Sequence, residues 1–262
     1  MLNETERNSG SSPSALSDLS PIADLLAVGV AMVFPLVTTW VYFVLLSGAD
    51  SMRTVYGLSK VAQFAFPVVW VLLVQRRPLL LRPPRWSDLA AGLTVGGLVV
   101  AIGLAAYLAY FKSSPWLSGA PALIEAKLND MRLTAPAASD SPGLPSPARY
   151  LAFALFLSLP HSLLEEYYWR WFVFGQLKRI VPLKTAIMLS SLAFMAHHVI
   201  VVDRFLDAPW PATATFSLAV AIGGAIWAGI YHRTGRLYAP WISHLLVDAA
   251  IMWIGYDLVW RG

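Results

Sequence analysis

Residues 89–111 read LAAGLTVGGLVVAIGLAAYLAYF and contain no charged residue. A helix of roughly 17–25 predominantly apolar residues is long enough to cross the hydrocarbon core of a bilayer. This stretch therefore predicts a membrane-spanning helix.

The composition of the whole chain agrees with that prediction. Of its 262 residues, 57% are hydrophobic and only 13% are charged, and the mean hydropathy is +0.60. A typical soluble domain carries about 25% charged residues. The composition therefore excludes a disordered protein, a coiled coil and a soluble enzyme. The absence of cysteine from the sequence excludes disulfides, thiolate metal sites and a cysteine nucleophile.

Six further stretches are apolar over a comparable length, so the chain is predicted to be an all-α, polytopic transmembrane helix bundle of about seven to eight membrane helices. Pro160 lies inside one of them, 150–174, and predicts a kink or a division into two shorter helices. An eighth element is predicted at 117–133, as an amphipathic helix on the membrane surface. The remaining predicted spans are 22–46, 58–74, 185–202, 213–231 and 238–259.

The basic residues predict the orientation of the bundle. Short cytoplasmic loops carry an excess of Lys and Arg. Such residues cluster after the predicted spans 58–74, 150–174 and 213–231, which places these three loops on one side together with the N-terminus. The chain is therefore expected to be a multi-pass protein of the plasma (inner) membrane with a cytoplasmic N-terminus. The net charge of +4 is interpreted as helix-end anchoring rather than as a nucleic-acid surface.

The densest group of ionisable side chains lies in HSLLEEYYWRW, residues 161–171. Ionisable groups inside a span are costly and by default indicate a site. Residues four apart share a helix face, which aligns His161 with Glu165 and Glu166 with Arg170. A structural ion pair is an equally good interpretation of Glu166 and Arg170. Two adjacent carboxylates repel each other and lose hydration when buried, so Glu165 favours a functional site.

Imidazole groups occur in two other predicted spans. His197 and His198 are adjacent in SSLAFMAHH, and His244 lies one turn before Asp248 in HLLVD. At 1.5 Å per residue, Glu165 and His198 are each about 20 Å from the basic end of their helix, and His244 is about 12 Å from its own. Helix tilt can absorb the difference, so the groups are expected to converge in one cavity. The alternative interpretation of these histidines is structural, because a histidine in a helix bundle usually makes a polar contact between helices.

These residue types suit the hydrolysis of an amide. Water attack needs a base, stabilisation of the oxyanion and a proton for the leaving amine. A buried carboxylate beside an imidazole can activate water, while a second imidazole and a carboxyl or amide group contact the oxyanion. In the alternative, zinc is bound by a carboxylate and two imidazoles, with Glu165, His198 and His244 as candidate ligands. The HExxH, GxGD and GxSG motifs of other peptidases are absent from the sequence.

Three motifs in this order make the sequence similar to the CAAX prenyl endopeptidase type II family, also called the CPBP (CAAX protease and bacteriocin-processing) family. EExxxR begins at Glu165, and FxxxH, which begins at Phe194, selects His198 rather than His197. HxxxN or HxxxD begins at His244. The resemblance covers roughly residues 150–256 and implies an intramembrane endopeptidase that cuts near the bilayer surface.

The resemblance also implies roles for the motif residues. Glu165 would be the base that activates water, with His198 beside it. Glu166 and Arg170 would orient the site, and His244 would line the oxyanion side together with the last motif residue, Asp248. His161 is not part of the family pattern.

Asp248 stands where Asn is the commoner family residue. A neutral amide can donate a hydrogen bond to an oxyanion, whereas an ionised carboxylate cannot. Asp248 is therefore either protonated, or it orients His244 or helps to hold a metal.

The implied partners are a peptide or prenylated-protein substrate and the lipid bilayer, with no nucleic acid. Both CAAX-like and bacteriocin-like processing remain open. The alternatives from other classes are a non-catalytic membrane immunity or scaffold protein and a small ion-coupled transporter, whose buried charges would mark an ion path. The predicted regions are a disordered polar tail at 1–20, N-terminal membrane helices with an extramembrane linker at 21–148, and a catalytic membrane domain at 149–262.

Overall fold

A computed structural model describes residues 19–47, 49, 51–79, 82–130, 146–206 and 208–261. Over these residues the chain is built from helices and contains no β-strand. Most of the predicted polar tail and the proline-rich linker before residue 146 lie outside the described residues. The first helix begins at Leu19 and therefore includes the last two residues of the predicted tail.

Ten α-helical segments follow one another in the described ranges, and four π-helical segments extend or join them. The α-helices are α1 Leu19–Trp40, α2 Met52–Val69, α3 Trp86–Ala109, α4 Ala120–Asp130, α5 Pro147–Phe156, α6 Ser162–Glu166, α7 Gly175–Ile180, α8 Leu183–Leu206, α9 Trp210–Thr234 and α10 Tyr238–Trp260. The π-helical segments are Val41–Leu45, Trp70–Val74, Leu157–His161 and Tyr167–Phe174, and two 3₁₀ turns, Phe111–Ser113 and Pro115–Leu117, precede α4.

Six helices of the described chain are long and apolar enough to cross a membrane, which confirms the all-α membrane bundle. They are Ile22–Leu45, Thr54–Val74, Trp86–Ser113, Leu183–Leu206, Trp210–Thr234 and Tyr238–Trp260. The remaining predicted span, 150–174, corresponds to most of α5, to α6 and to the π-helical segments Leu157–His161 and Tyr167–Phe174. Apolar side chains such as Val61, Leu73 and Ile102 are more than 60% exposed on these helices, as expected of surfaces that face lipid. The chain is an integral membrane protein.

Segments α5 to α7 form one continuous helical run, because the junction residues Leu157, Ser162, Tyr167 and Gly175 all have right-handed helical backbone angles. The predicted kink at Pro160 takes the form of a π-helical segment. Proline has no N–H to donate to the preceding turn, and a widened turn accommodates that loss. π-Helical turns are frequent at functional sites, and two of them flank α6.

The predicted surface helix at 117–133 corresponds to α4 in the structure. Ile124 and Leu128 of α4 are buried in a cluster with Leu258 of α10 and Tyr150 of α5. This helix therefore packs its apolar side chains against one end of the bundle.

Two glycines allow α3 to lie directly against α10. A Cβ atom at Gly92 would come within 2.8 Å of the Ala239 carbonyl oxygen, and one at Gly96 would come within 2.8 Å of Ser243 Cα. Small residues four apart permit such close helix packing in membranes. Because Ser243 immediately precedes His244, this contact positions a motif residue.

Candidate active site

Glu166 is completely buried and joins two other motif residues. Its Oε1 lies 2.8 Å from Nδ1 of His244, and its Oε2 lies 3.2 Å from Nε of Arg170. The predicted ion pair between Glu166 and Arg170 is therefore present. An ionised carboxylate only accepts hydrogen bonds, so Nδ1 of His244 is the donor in this contact and Nε2 faces the rest of the site.

The guanidinium of Arg170 is enclosed by aromatic rings and backbone. Its Cζ lies 4.7 Å from the ring centre of Phe194 and 5.1 Å from that of Trp227, and its Nη2 donates to the carbonyl of Gly224 at 3.4 Å. A cation over an aromatic face is attracted by the ring quadrupole. These contacts hold Arg170 in one place, and through it the carboxylate of Glu166.

Glu165 lies between imidazoles that come from two other helices. Its Oε1 is 3.8 Å from Nε2 of His197 on α8, and its Oε2 is 3.7 Å from Nε2 of His244 on α10. The side chain is only 5% exposed. The structure therefore brings together all three groups of ionisable residues that the sequence places on separate helices.

Tryptophan side chains stack against two of the imidazoles. The ring of Trp169 is parallel to that of His197, with an angle of 3° and a centre-to-centre distance of 5.7 Å. Trp227 stacks on His244 at 4.0 Å, and its Nε1 donates to Ser243 Oγ at 3.1 Å. These two tryptophans were not predicted to belong to the site, although each lies close in sequence to motif or glycine-rich segments.

His197 and His198 both reach the site, although adjacent residues point about 100° apart on a helix. Their ring centres are 4.1 Å apart. Nδ1 of His198 contacts the Phe194 carbonyl at 2.8 Å, which orients the ring and leaves Nε2 for other contacts. The helical angle alone therefore does not separate the two residues, because different neighbours turn their rings towards each other.

The remaining candidates lie at the edge of this group. Oδ1 of Asp248 is 3.5 Å from Nε2 of His244, and the Asp248 side chain is 21% exposed. His161 lies in the π-helical segment before α6, with its ring 6.2 Å from that of Phe64 on α2. His161 therefore contacts the N-terminal half of the bundle.

Glu165, His197 and His198 each offer a ligand atom within 4.8 Å of the other two. Zinc binds such atoms at about 2.0–2.2 Å, which places tetrahedral ligands about 3.3 Å apart. One carboxylate and two imidazoles are chemically suited to zinc. To bind it, the three ligand atoms would have to move closer together by up to about 1.5 Å. This group contains His197, whereas the candidates from the motifs are Glu165, His198 and His244.

Lys60 is an ionisable residue near the site that the sequence analysis did not single out. It lies in α2, and its Nζ is 5.8 Å from the ring centre of Phe64, the residue that faces His161. The signal was present in the sequence, because a lysine occurs three residues into the predicted span 58–74 and ionisable residues within spans indicate a site.

The fold and the site define a class: polytopic helical membrane proteins with buried carboxylates and imidazoles gathered from several helices. Residues 147–250, less than half of the chain, match the family described as Type II CAAX prenyl endopeptidase Rce1-like. This match confirms the resemblance to the CPBP family over this part of the chain. The match supports a CAAX-type intramembrane protease in general as the class to which this part of the chain is similar. No curated protein and no solved structure matches the chain.

Proposed function

We propose that the protein is an intramembrane endopeptidase in which Glu165 activates the water that attacks a peptide carbonyl near the bilayer surface. The observation that supports this most directly is the position of Glu165, which is buried and has imidazole nitrogens at 3.7 and 3.8 Å on two sides. A positioned carboxylate next to imidazole is the arrangement that general base catalysis requires.

In the proposed reaction, Glu165 accepts a proton from water while the water oxygen adds to the carbonyl carbon. The negative charge that develops on the carbonyl oxygen is stabilised by hydrogen-bond donors on the side of His244 and Asp248. Because the Nδ1 proton of His244 is donated to Glu166, Nε2 donates in this step as part of an imidazolium, and Asp248 donates as a carboxylic acid. The carbon–nitrogen bond then breaks, and the proton held by Glu165 passes to the leaving nitrogen. Glu166 and Arg170 act by orienting the His244 ring, whose Nδ1 contacts Glu166.

A metalloprotease is the alternative form of the same proposal. Glu165, His197 and His198 would hold the ion, with His244 close by. A bound zinc ion would make water a better nucleophile and polarise the carbonyl. In that case the donor side of the site, His244 and Asp248, keeps the role described above.

The substrate is proposed to be a peptide or prenylated protein that reaches the site from the bilayer, in CAAX-like or bacteriocin-like processing. The membrane is proposed to be the plasma (inner) membrane, with a cytoplasmic N-terminus. Residues 149–262 are proposed as the catalytic domain, with α2 of the region 21–148 contributing to one side of the site.

The test is proteolysis of a quenched peptide library, with free and prenylated members, by the purified protein in detergent. Cleavage is expected, and adding a chelator distinguishes a metal-dependent from a metal-free enzyme. A protein that cuts no member of the library, with and without added zinc, would favour the non-catalytic immunity or scaffold alternative.

The two adjacent histidines provide a first prediction. We expect His198→Ala to abolish cleavage and His197→Ala to cost less, because the family motif selects His198 and the Phe194 carbonyl orients its ring. The measurement is turnover of a library-derived peptide, with the exposed His232→Ala as control. An equal loss at both positions, in folded proteins, would contradict this difference. If added zinc restored both variants, all three members of the Glu165 group would be metal ligands.

Asp248 provides a second prediction. If it donates a hydrogen bond to the oxyanion, Asp248→Asn should remain active, and the fall in rate at alkaline pH that accompanies loss of the carboxyl proton should disappear. If the metal is instead held by the set that the motifs imply, Glu165, His198 and His244, Asp248 would orient His244 as a ligand, and the variant should lose metal affinity by about 10–100-fold. We expect the first result. A pH–rate profile with and without chelator distinguishes the two, and the exposed Asp203→Asn serves as control.

A further inference from the structure

A cavity of about 230 Å³ opens beyond the end of α2, and none of the motif residues lines it. It lies between the turn that follows the π-helical segment Trp70–Val74 and the helix α7. Exposed Arg77 and Arg179 line it together with the completely buried Phe172, so it combines charged groups with an apolar wall. Its volume is below the roughly 300–1,000 Å³ of a drug-sized ligand site, which suits a small charged group.

The backbone directs Arg77 towards this cavity. Among the described residues other than glycine, only Arg76 has a positive φ, of 51°, a region that such residues rarely adopt. The amide of Arg77 donates to the carbonyl of Val71 at 3.0 Å, which folds the chain back over the last helical turn. Val71 and Arg77 therefore line the same cavity. Strained backbone of this kind is concentrated at ligand-binding sites.

Two glutamine amides on the cavity wall are joined by reciprocal hydrogen bonds. Nε2 of Gln75 donates to Oε1 of Gln176 at 3.2 Å, and Nε2 of Gln176 donates to Oε1 of Gln75 at 3.1 Å. Nε2 of Gln75 also donates to Oδ1 of Asp24 at 2.8 Å, and this fixes the orientation of both amides because a carboxylate only accepts. An amide nitrogen carries two N–H groups. The second one of Gln176 has no acceptor among the described residues and is available to a ligand.

The same network positions Arg179. Its Nη1 donates to Oε1 of Gln176 at 3.4 Å, which leaves its other N–H groups for a ligand. Within the part of the chain that the structure describes, no carboxylate lies within ion-pair distance of Arg77 or Arg179. Asp24, the acidic group of the network, does not line the cavity and already accepts from Gln75. Two guanidinium groups at the cavity therefore favour an anion.

The cavity lies at the level where a membrane span ends. The candidate span Thr54–Val74 ends next to Gln75, and its last residues, Leu73 and Val74, are more than half exposed, as expected of side chains that face lipid. Half-buried Trp171 lines the cavity, and tryptophan is enriched at membrane–water interfaces. Guanidinium groups match the oxygens of a phosphate, and basic pockets between membrane helices are typical sites for anionic lipid headgroups.

We propose that this cavity binds the phosphate of an anionic phospholipid of the phosphatidylglycerol type. Arg77 and Arg179 would contact the phosphate oxygens, and the second N–H of Gln176 would donate to one of them. The acyl chains would lie outside the bundle, along Leu73 and Val74. A zwitterionic lipid is disfavoured because its cationic group would lie beside the two arginines. This inference does not depend on the proposed hydrolysis, since no motif residue lines the cavity.

The test is native mass spectrometry of the whole protein from detergent micelles that contain equal amounts of phosphatidylglycerol and phosphatidylcholine. One arginine near a membrane surface contributes about fivefold to the affinity for anionic lipid, so the wild type is expected to prefer phosphatidylglycerol by about 30-fold. Arg77→Gln combined with Arg179→Gln should remove this preference. Lys184→Gln combined with Arg233→Gln removes two exposed charges outside the cavity and should keep most of it.

Equal retention of the two lipids by the wild-type protein would overturn the inference. An equal loss of preference in the control variant would overturn it as well, because the preference would then come from the basic surface in general. A thermal melt checks folding of the Arg77 and Arg179 double variant. If it does not fold, the two single variants decide, and each is expected to lose about fivefold.

A last arm distinguishes the lipid from a free ion. Inorganic phosphate in excess should not displace phosphatidylglycerol from the wild-type protein, because the acyl chains also contribute to binding. Displacement would show that the cavity takes free phosphate rather than a lipid headgroup, contrary to the inference.

Discussion

Glu165→Gln is expected to reduce peptide cleavage by about 10²–10⁴-fold, the usual cost of losing a positioned general base. The amide keeps the shape of the side chain between His197 and His244 but cannot accept a proton from water. The measurement is single-turnover cleavage of a peptide selected from the library, together with a thermal melt that shows the variant is folded.

The matched control for this substitution is Glu125→Gln. Glu125 is an exposed residue of α4, far in sequence from the three motifs, so the same chemical change there should leave cleavage at the wild-type rate. If Glu165→Gln also cuts at the wild-type rate, Glu165 is not the base, and the proposed mechanism is wrong.

Arg170→Ala is expected to lower both stability and activity. The substitution leaves the completely buried Glu166 without its guanidinium partner, and breaking a buried pair in this way costs about 3–5 kcal/mol. Activity should fall because Glu166 would no longer be held against Nδ1 of His244. Melting followed by tryptophan fluorescence, alongside peptide turnover, measures both effects, with the exposed Arg233→Ala as control.

A double variant separates the structural from the orienting role of this pair. Glu166→Gln combined with Arg170→Met removes both charges at similar volume, and such replacements are often neutral or stabilising. The melting temperature should therefore recover, whereas turnover should stay low because no carboxylate then accepts the hydrogen bond from Nδ1 of His244. An Arg170→Ala protein with unchanged melting and unchanged turnover would show that the pair neither stabilises the fold nor orients His244.

The sequence indicated the ionisable residues of the candidate site where the signal was local. Ionisable residues stand out against apolar spans, so the stretch containing Glu165 and Glu166 and the histidines of two other spans were identified one by one. The i,i+4 relation of Glu166 and Arg170 was also predictable, because it depends only on helix geometry. Their roles in catalysis stay predictions.

Contacts between helices were not predictable in the same way. Glu166 and His244 are 78 residues apart in the chain, and their 2.8 Å contact depends on how α6 and α10 pack. The close approach of α3 to α10 at Gly92 and Gly96 contributes to that packing. The roles of Trp169 and Trp227 as stacking partners of imidazoles likewise follow from packing rather than from spacing.

The sequence by itself determined that this chain is an all-α membrane protein and which residues form its three motifs. Both conclusions depend on composition and local spacing: a long apolar stretch must be a helix in lipid, because its backbone polar groups have to pair within the segment. The tertiary structure alone decided which side chains meet. It turned both His197 and His198 towards Glu165 and placed Phe64 of α2 edge-on against His161. Helix packing and widened π-helical turns set these side-chain directions, which one-dimensional periodicity does not contain.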